Sequence, residues 1–405
     1  MKRLFTFILT LTMTFSFCVN SLAAAATTTT ATETTAATAA RETSADTSNT
    51  QATGASYGTS KLSGAPDIVA ESAVVMDAGT GTVLYGKEAS TKRYPASITK
   101  VMTALLAVEN CNMSDIITYS NAAVNGIEAG SSTAGINVGA KLTVEDSLYA
   151  LMLVSANEAA AAIAEHISGS TTEFAKLMTK RAKELGCKNT QFKNPHGLPD
   201  EEHYTTAYDM GLILKEAMKH PEFRKIAGTI SYTLKKSDSL TDTLELWNHA
   251  KILRQNSDYY YEYAKGAKTG FTQVALNTLV TYANVELICV ILKDHGADKS
   301  YTDTANLFKW AFNQVKAVTP LTNFSLKTAM TENSSIDSAK LDQIQLLNSS
   351  YDTNFSVLVK KDFDESTLKT AFKLDEDKKT GRLGYIIISC DDKELGRTEV
   401  TYDIT

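Results

Sequence analysis

Hydrophobic residues follow two kinds of pattern along this chain of 405 residues. Five short segments have strand character, and four of them are runs rich in β-branched, aromatic and other apolar residues, which is the pattern typical of strands. Gly79 and Gly81 lie between the first two runs and suit the tight connection of a hairpin. Short links between consecutive runs favour an antiparallel sheet. The predicted strands are 73–76, 82–85, 265–272, 279–282 and 287–292.

Helical periodicity fills the interval between the second and third runs and returns after the fifth. Residues 98–108 are apolar nearly all round, which predicts a buried helix. A capping-box-like segment at 143–146 opens a second helix, and the alanine-rich residues 157–167 form a third that stops near Gly169. Residues 303–315 predict a closing helix. The fold class is therefore α/β, with a five-stranded antiparallel sheet built from both ends of the domain and a helical lobe inserted between them.

The last part of the chain changes character. Short alternating runs occur at 355–359 and 385–389, and turn clusters flank them at 348–350 and 391–392. We predict a main domain over residues 65–318, followed over residues 319–405 by a small all-β domain that resembles a sandwich.

The N-terminus has the pattern of an export signal. Lys2 and Arg3 precede an apolar run over 4–19, and small residues follow at 21–26, which predicts a signal peptide over residues 1–25. The location is then secreted or extracytoplasmic, in the cell envelope. Whether the segment is cleaved or stays as an anchor is left open, because the run is short for a membrane span. Residues 26–64 are rich in Thr, Ala and Ser and predict a disordered stalk, with a leader of no function as the alternative.

Composition excludes several classes of partner. The formal charge of −6 becomes −8 without Lys2 and Arg3, so no nucleic-acid partner is expected. No H-E-x-x-H or C-x-x-C pattern occurs, so neither a metal site nor a cofactor is expected. Widely scattered cysteines predict no structural disulfide, and Cys289 lies in an apolar strand where a buried thiol is the usual state. Outside the signal the cysteines are Cys111, Cys187, Cys289 and Cys390.

Three short motifs carry the candidate chemistry. They are S-x-x-K at 97–100, S-x-N at 155–157 and K-T-G at 268–270, with 58 residues from the first serine to the second and 113 from there to the lysine. A second S-x-x-K at 366–369 and a second K-T-G at 379–381 have no S-x-N between them and are attributed to chance. An isolated S-x-x-K is usually a solvated lysine near a helix start, so the evidence is the ordered set of three.

Each motif suits one part of an acyl transfer. Ser97 and Lys100 are three residues apart and share a helix face, and a serine hydroxyl needs such an adjacent base to become a nucleophile. Asn157 has two readings, as an active-site side chain and as the N-cap of the alanine-rich helix. Lys268 and Thr269 offer a cation and a hydroxyl to a terminal carboxylate.

The three motifs together are those of β-lactamases and penicillin-binding proteins. The segments 94–103, 155–169, 194–198 and 265–272 resemble more narrowly the D-alanyl-D-alanine carboxypeptidases among the low-molecular-weight penicillin-binding proteins. This similarity runs from about residue 70 to 318. It implies the β-lactamase/transpeptidase-like fold for the main domain.

The resemblance also implies roles for the motif residues. Ser97 is the nucleophile, and Lys100 is its base in the neutral form, with a pKa lowered by burial and by a neighbouring cation, for which Lys268 is the candidate. Ser155 relays the proton to the leaving D-alanine, and Asn157 orients Lys100 and the substrate backbone.

In this family the residues of the third motif bind the substrate. Lys268, Thr269, Gly270 and Phe271 are the predicted substrate-binding residues, and the backbone N–H groups of Ser97 and Phe271 form an oxyanion hole. His196 and His203 are expected to make loop hydrogen bonds rather than to act in catalysis. The sequence departs from the family at Leu276, where glycine is common, and altered packing behind the strand is expected there.

The predicted function is that of a secreted serine D-Ala-D-Ala carboxypeptidase. It removes the terminal D-alanine of peptidoglycan stem peptides through an acyl-enzyme on Ser97, with water as acceptor and β-lactam antibiotics as covalent inhibitors. Association with the membrane surface or the wall is left open. A transpeptidase is one alternative, and a non-catalytic wall-binding protein is another, although it would not need all three motifs. A β-lactamase needs a deacylating glutamate, and Glu201 and Glu202 lack the usual surrounding pattern.

Overall fold

The structure is a computed structural model that describes residues 60–61, 64–237, 239–283, 287–296, 298–333, 335–345, 347–378, 380–391 and 393–402. The predicted signal peptide and nearly all of the predicted stalk lie outside the described residues. The exceptions are Ser60 and Lys61, which form a short strand, and Gly64.

The strands in the described part of the chain are β1 Ser60–Lys61, β2 Ser72–Asp77, β3 Val83–Lys87, β4 Ile116–Thr118, β5 Lys141–Thr143, β6 Ser231–Leu234, β7 Leu244–Trp247, β8 Ala264–Thr272, β9 Leu276–Ala283, β10 Leu287–Asp294, β11 Val315–Val318, β12 Ser349–Tyr351, β13 Val357–Lys360, β14 Lys369–Asp377, β15 Arg382–Cys390 and β16 Lys393–Tyr402.

The α-helices in the same residues are α1 Lys100–Asn110, α2 Asn121–Asn125, α3 Val144–Leu153, α4 Asn157–Ser168, α5 Thr171–Glu184, α6 Ala207–Ala217, α7 Pro221–Gly228, α8 Lys299–Gln314, α9 Leu326–Thr331 and α10 Ser338–Gln345. Short 3-10 helices cover Ala96–Thr99, Lys251–Leu253 and Glu365–Thr367.

The main sheet is antiparallel and has the order β1-β3-β2-β10-β9-β8. All five predicted strands are present in it, and the α/β fold class is confirmed. The sheet has six strands rather than five, because the two residues of β1 pair with β3. A pair of residues leaves no alternation to read, which is why the sequence pattern missed it.

Both faces of the sheet are buried. Val74 and Met76 of β2 point into one core with helices of the inserted lobe, whereas Ala73 and Val75 point into a second core with α8. Successive side chains of a strand face opposite sides, so a strand buried on both faces must be apolar throughout. The central strands β2 and β10 meet this requirement and fix the position of the helical lobe over the sheet.

Helix α8 begins four residues before the predicted start, at Lys299 instead of 303. Asp303 lies inside the first turns of the helix and accepts hydrogen bonds at one carboxylate oxygen from the N–H groups of Val69 and Ala70, at 2.7 and 3.1 Å. Asp303 is therefore an interior residue of α8 that binds a distant segment. In the sequence its polar side chain indicated the start of the helix.

The C-terminal region is built mainly from two sheets, with the orders β11-β13 and β12-β16-β15-β14. They enclose a third core that includes Phe372, Leu383, Ile386 and Ile388. The predicted β region is confirmed, and the helices α9 and α10 pack beside it, which the sequence did not indicate. The division at residue 318 stays a prediction, because Val315–Val318 pairs with Val357–Lys360 across it.

Asp77 joins this region to the main sheet. One carboxylate oxygen accepts hydrogen bonds from the N–H groups of Gly79 and Thr80, at 2.7 and 3.1 Å, and so closes the turn after β2. The other oxygen accepts from the N–H of Leu358 in β13, at 3.3 Å. The side chain is only 2% exposed, so both regions share one buried carboxylate.

None of the helices in the described part of the chain has the length and hydropathy needed to span a bilayer. Cys111, Cys187, Cys289 and Cys390 are free thiols, and Cys289 is buried as predicted.

Candidate active site

Ser97 lies in a single 3-10 turn that leads directly into α1. The turn covers Ala96–Thr99, and α1 begins at Lys100. In a 3-10 turn the side chains of residues i and i+3 are eclipsed, which is closer than in an α-helix. The Nζ of Lys100 therefore donates to the Oγ of Ser97 at 3.1 Å. The predicted pairing of the two side chains is found, on a tighter turn than the sequence indicated.

Lys100 is completely buried and is held by oxygen acceptors. Besides Ser97, its Nζ donates to the Oδ1 of Asn157 at 2.6 Å and to the carbonyl oxygen of His196 at 2.8 Å. Burial holds the pKa of Lys100 well below its usual value, and the charge of Lys268 lowers it further, whereas Glu158 opposes the shift. Burial and the neighbouring cation therefore favour the neutral amine, which can donate to two of these oxygens and accept the proton of the Ser97 hydroxyl.

Ser155 lies at a break between two helices, as the sequence predicts. Helix α3 ends at Leu153 and α4 begins at Asn157, and Ser155 adopts a left-handed φ of 64° between them. The N-cap of α4 is Ala156, so the reading of Asn157 as a capping residue is wrong. Asn157 is instead the first helical residue, and its side chain is free to bind Lys100.

Lys268 reaches the same cavity from β8. Its Nζ donates to the Oγ of Ser155 at 3.1 Å and to the carbonyl oxygen of Thr269 at 2.7 Å. The side chain is 1% exposed, and this burial lowers its pKa to about 7. The hydroxyl of Thr269 is half-buried and has no hydrogen bond within the described residues, so it is available to a ligand.

Gly270 packs against the turn that carries Ser97. A Cβ at this position would lie 2.7 Å from the backbone nitrogen of Ser97 and 2.4 Å from the Oγ1 of Thr278. The sequence analysis predicts Gly270 as a substrate-binding residue, and the contact with the nucleophile turn is a second reason for a glycine at this position. Phe271 follows it with 59% of its surface exposed.

The loop after α5 supplies contacts that sequence reasoning missed. The carbonyl of His196 is an acceptor for Lys100, and Gly197 has a φ of 89°. A Cβ on Gly197 would lie 1.9 Å from the carbonyl oxygen of Ala96 and 2.8 Å from the Oγ1 of Thr99. The only sequence signal for these roles was the family resemblance of segment 194–198, because a backbone carbonyl has no signature of its own.

His203 makes loop hydrogen bonds, as expected. Its Nδ1 accepts from the N–H of Lys193 at 3.1 Å, so the proton is on Nε2, which lies 2.9 Å from the Oγ1 of Thr99. Burial lowers the pKa of His203 to about 4, and the ring is neutral at pH 7. The residue thereby supports the nucleophile turn from behind.

Glu158 is a further residue that the sequence did not single out. Its Oε1 accepts from the Oγ1 of Thr133 at 2.6 Å and from the N–H groups of Ala134 and Gly135 at 2.7 and 3.1 Å. The backbone N–H of Asn157 donates to the carbonyl of Ser132 at 2.9 Å. The second motif thus anchors the segment 132–135 beside the cleft.

The third motif lies at the edge of the main sheet, because β8, which contains it, is the last strand of that sheet. An edge strand has unpaired N–H and C=O groups that can bind an extended peptide as an added strand. A nucleophile beside such an edge suits a peptide substrate.

Comparisons with known proteins identify the family of this chain. The family model Peptidase_S11, described as D-alanyl-D-alanine carboxypeptidase, matches residues 59–296. The D-alanyl-D-alanine carboxypeptidase DacF of Bacillus subtilis (strain 168) is 33% identical over 346 residues, which cover 82% of this chain and 84% of that protein.

Solved structures show the same fold. The Streptomyces K15 DD-transpeptidase is 31% identical with a TM-score of 0.56, over 61% of this chain and 98% of that one. The D-alanyl-D-alanine carboxypeptidase DacD of Francisella tularensis is 25% identical with a TM-score of 0.58, over 83% of this chain and 93% of that one. The chain belongs to the D-alanyl-D-alanine carboxypeptidase family and is a penicillin-binding serine peptidase.

Proposed function

We propose that the protein removes the terminal D-alanine of peptidoglycan stem peptides through an acyl-enzyme on Ser97. The observation that carries the proposal is the contact of 3.1 Å between the Nζ of Lys100 and the Oγ of Ser97, made by an amine whose pKa is lowered by burial. A neutral amine at hydrogen-bond distance from a hydroxyl is the arrangement that general-base activation requires.

In the acylation step, Lys100 takes the proton of Ser97 as the Oγ attacks the carbonyl of the penultimate D-alanine. The backbone N–H groups of Ser97 and Phe271 stabilise the oxyanion. The proton then passes to the leaving amine of the terminal D-alanine through Ser155, whose hydroxyl is held by Lys268. Water enters in place of D-alanine and attacks the ester carbonyl while Lys100 takes its proton. The bond to Oγ then breaks, and Lys100 gives this proton to Oγ, which restores free Ser97 and the neutral amine.

The terminal carboxylate of the substrate binds at the start of the third motif. The hydroxyl of Thr269 has no other partner within the described residues, and the cationic form of Lys268 lies directly behind it. Hydrogen bonds to a carboxylate that come from a cation or a hydroxyl beside one are stronger than neutral ones. An internal peptide bond has no carboxylate at this place, so this contact favours the free C-terminus.

A transpeptidase shares the acyl-enzyme and differs only in the acceptor that resolves it. The Streptomyces K15 structure, which is 31% identical to this chain, is named a DD-transpeptidase, and this name supports transpeptidation as the second candidate function. A β-lactamase is less well supported. Glu201 and Glu202 are both exposed, and Glu202 pairs with Lys193 at 2.8 Å, so neither is placed as a base beside Ser97.

We also propose that the enzyme works outside the cytoplasm. Peptidoglycan stem peptides are the substrates of this family, and the sequence pattern of residues 1–25 is that of an export signal. Cell fractionation of the full chain, with the same chain lacking residues 2–25 as control, tests this part separately from the chemistry.

Release of free D-alanine from a stem pentapeptide tests the activity. The wild-type chain should release it, and Ser97→Ala should not. Ser366→Ala is the matched control, because Ser366 belongs to the second S-x-x-K and donates to Asp364 at 2.7 Å. Equal activity in Ser97→Ala would overturn the proposal, as would its loss in Ser366→Ala alone.

The fate of the acyl group distinguishes the functions. Intact-protein mass spectrometry after treatment with penicillin should show a long-lived adduct on wild type and none on Ser97→Ala. Rapid loss of the adduct would favour a β-lactamase. Addition of glycine or a D-amino acid as acceptor, with analysis of the products, would show a transpeptidase as a new amide in place of the hydrolysed tetrapeptide.

A further inference from the structure

A cavity of about 430 Å³ lies beyond the C-terminal end of β8. Its walls include residues that precede the first motif in the chain and residues that follow the third motif. Tyr94 is three residues before Ser97, and Val274 and Ala275 follow directly after the third motif and β8. None of the motif residues lines this cavity, so it is separate from the catalytic contacts described above.

The direction of the substrate along β8 decides what reaches this cavity. Under the proposed function, the terminal carboxylate is at Thr269 and the scissile carbonyl is beside Phe271. The peptide therefore runs antiparallel to β8, and its upstream residues extend past Thr272. A residue in an extended chain advances about 3.3 Å. The residue just before the D-Ala-D-Ala pair is thus the first one whose side chain can enter the cavity.

Two of the cations at the cavity are already bound. Arg93 pairs with Glu71 at 3.0 Å and Lys293 pairs with the same carboxylate at 3.1 Å. These ion pairs form one wall and leave little charge for a ligand.

Lys92 and Glu201 are different. Lys92 is exposed, and its Nζ lies 4.1 Å from the centre of the Tyr204 ring, a contact that orients the ammonium without neutralising it. Glu201 is exposed three residues before Tyr204 and also lines the cavity. In the described part of the chain no ion pair joins these two side chains to each other or to another charged group. A free cation and a free carboxylate thus border the same space.

We propose that this cavity binds the side chain of the third residue from the C-terminus of the stem peptide, and that Lys92 and Glu201 select a side chain ending in both a carboxylate and an amine. Lys92 binds the carboxylate, and Glu201 binds the amine. The inference rests on the proposed function, because that function sets the direction of the peptide along β8.

Four short substrates of the form acetyl-X-D-Ala-D-Ala test the proposal. The side chain of X ends in a methyl group, an amine, a carboxylate, or both an amine and a carboxylate on one carbon. The value of kcat/KM is measured from released D-alanine. Since an exposed charge pair contributes up to roughly 1 kcal/mol, each matched charge should raise kcat/KM by a factor of about 2 to 5.

The variants separate the two charges. Lys92→Gln should remove the advantage given by the carboxylate and keep the one given by the amine, and Glu201→Gln should do the reverse. Lys193→Gln and Glu202→Gln are matched controls, because these two residues form their own ion pair at 2.8 Å and do not line the cavity. Neither control should change the ranking of the four substrates.

The outcomes distinguish this inference from the proposed function. Release of D-alanine from the neutral substrate, with the same kcat/KM for all four, would uphold the carboxypeptidase and overturn the cavity assignment. The same ranking in wild type and in both cavity variants would also overturn it. No release from any substrate by the folded protein would contradict the proposed function itself and the inference with it.

Discussion

The Oδ1 of Asn157 lies 2.6 Å from the Nζ of Lys100, and the two side chains are 2% and 0% exposed. A neutral amide is the partner of a buried amine that must be able to lose its proton. A carboxylate at the same place would stabilise the ammonium form and prevent the amine from acting as a base.

Asn157→Asp should therefore raise the pKa of Lys100 and move the acid limb of the acylation profile to higher pH. An adjacent opposite charge shifts a pKa by about 1 to 3 units, so acylation near pH 7 should fall by roughly tenfold or more. The check is the rate of acylation by a fluorescent penicillin between pH 5 and 10. Asn137→Asp adds the same charge at an exposed position and should leave the profile unchanged. An unmoved profile in Asn157→Asp would refute the role of Lys100 as base.

Gly197→Ala should disrupt the nucleophile turn, because its Cβ would overlap the carbonyl of Ala96. Gly169→Ala is the matched control, since Gly169 also has a positive φ, of 76°, but has open space around it. The control should lose about 1 kcal/mol of stability, the cost of a left-handed alanine. Gly197→Ala should lose several times more, or lose penicillin binding while still folded. Denaturant unfolding and penicillin labelling measure both, and equal effects in the two variants would contradict the predicted clash.

Leu276→Gly should stabilise the protein. Leu276 has a φ of 56°, a left-handed backbone that disfavours any residue with a Cβ, so the departure from the family's glycine lies at a strained position. The loss of the half-buried side chain and the greater freedom of glycine in the unfolded chain offset most of the gain, so we expect a net increase below about 1 kcal/mol. Val274→Gly in the same turn has no positive φ to relieve and should destabilise. A lower melting temperature for Leu276→Gly would show that packing outweighs the strain.

Acid should destabilise the fold through His203. Its folded-state pKa of about 4 lies below the usual 6.5, so the unfolded chain binds a proton that the folded protein does not. The stability is present above pH 6.5 and is lost as the pH falls to about 4, by up to roughly 3 kcal/mol.

His203→Gln should flatten the pH dependence of the unfolding free energy between pH 6.5 and 4, although it lowers stability at pH 7 by removing the contact with Thr99. The remaining slope includes His196, whose pKa burial lowers to about 3. His166→Gln changes an exposed histidine and should have no effect on the slope. Identical slopes in wild type and His203→Gln would argue against this assignment.

Local patterns in the sequence were enough to predict five strands of the main sheet and several helices of the lobe. The strands β2 and β10 were found because buried strands are apolar runs. The start of α3 was found because Thr143 caps it, with a hydroxyl that accepts from the N–H of Asp146 at 3.0 Å. These features depend on residues close together in the chain.

The rest depends on contacts between distant segments. His196 is 96 residues from Lys100 and acts through its carbonyl, and Glu158 binds backbone N–H groups of a segment more than twenty residues away. Gly270 is required by the backbone of Ser97 rather than by anything in its own strand. No spacing rule encodes such contacts, so the motif residues could be named while the groups that hold them could not.

The carboxylate of Asp77 links the C-terminal region to the main sheet. It closes the turn after a central strand and at the same time accepts from Leu358, while α8 passes directly into a strand that pairs with β13. Separating the two regions would break the hydrogen bond to Leu358 together with the pairing of β11 and β13. A penicillin bound at Ser97 should therefore slow hydrogen exchange even in the C-terminal strands, which it does not touch.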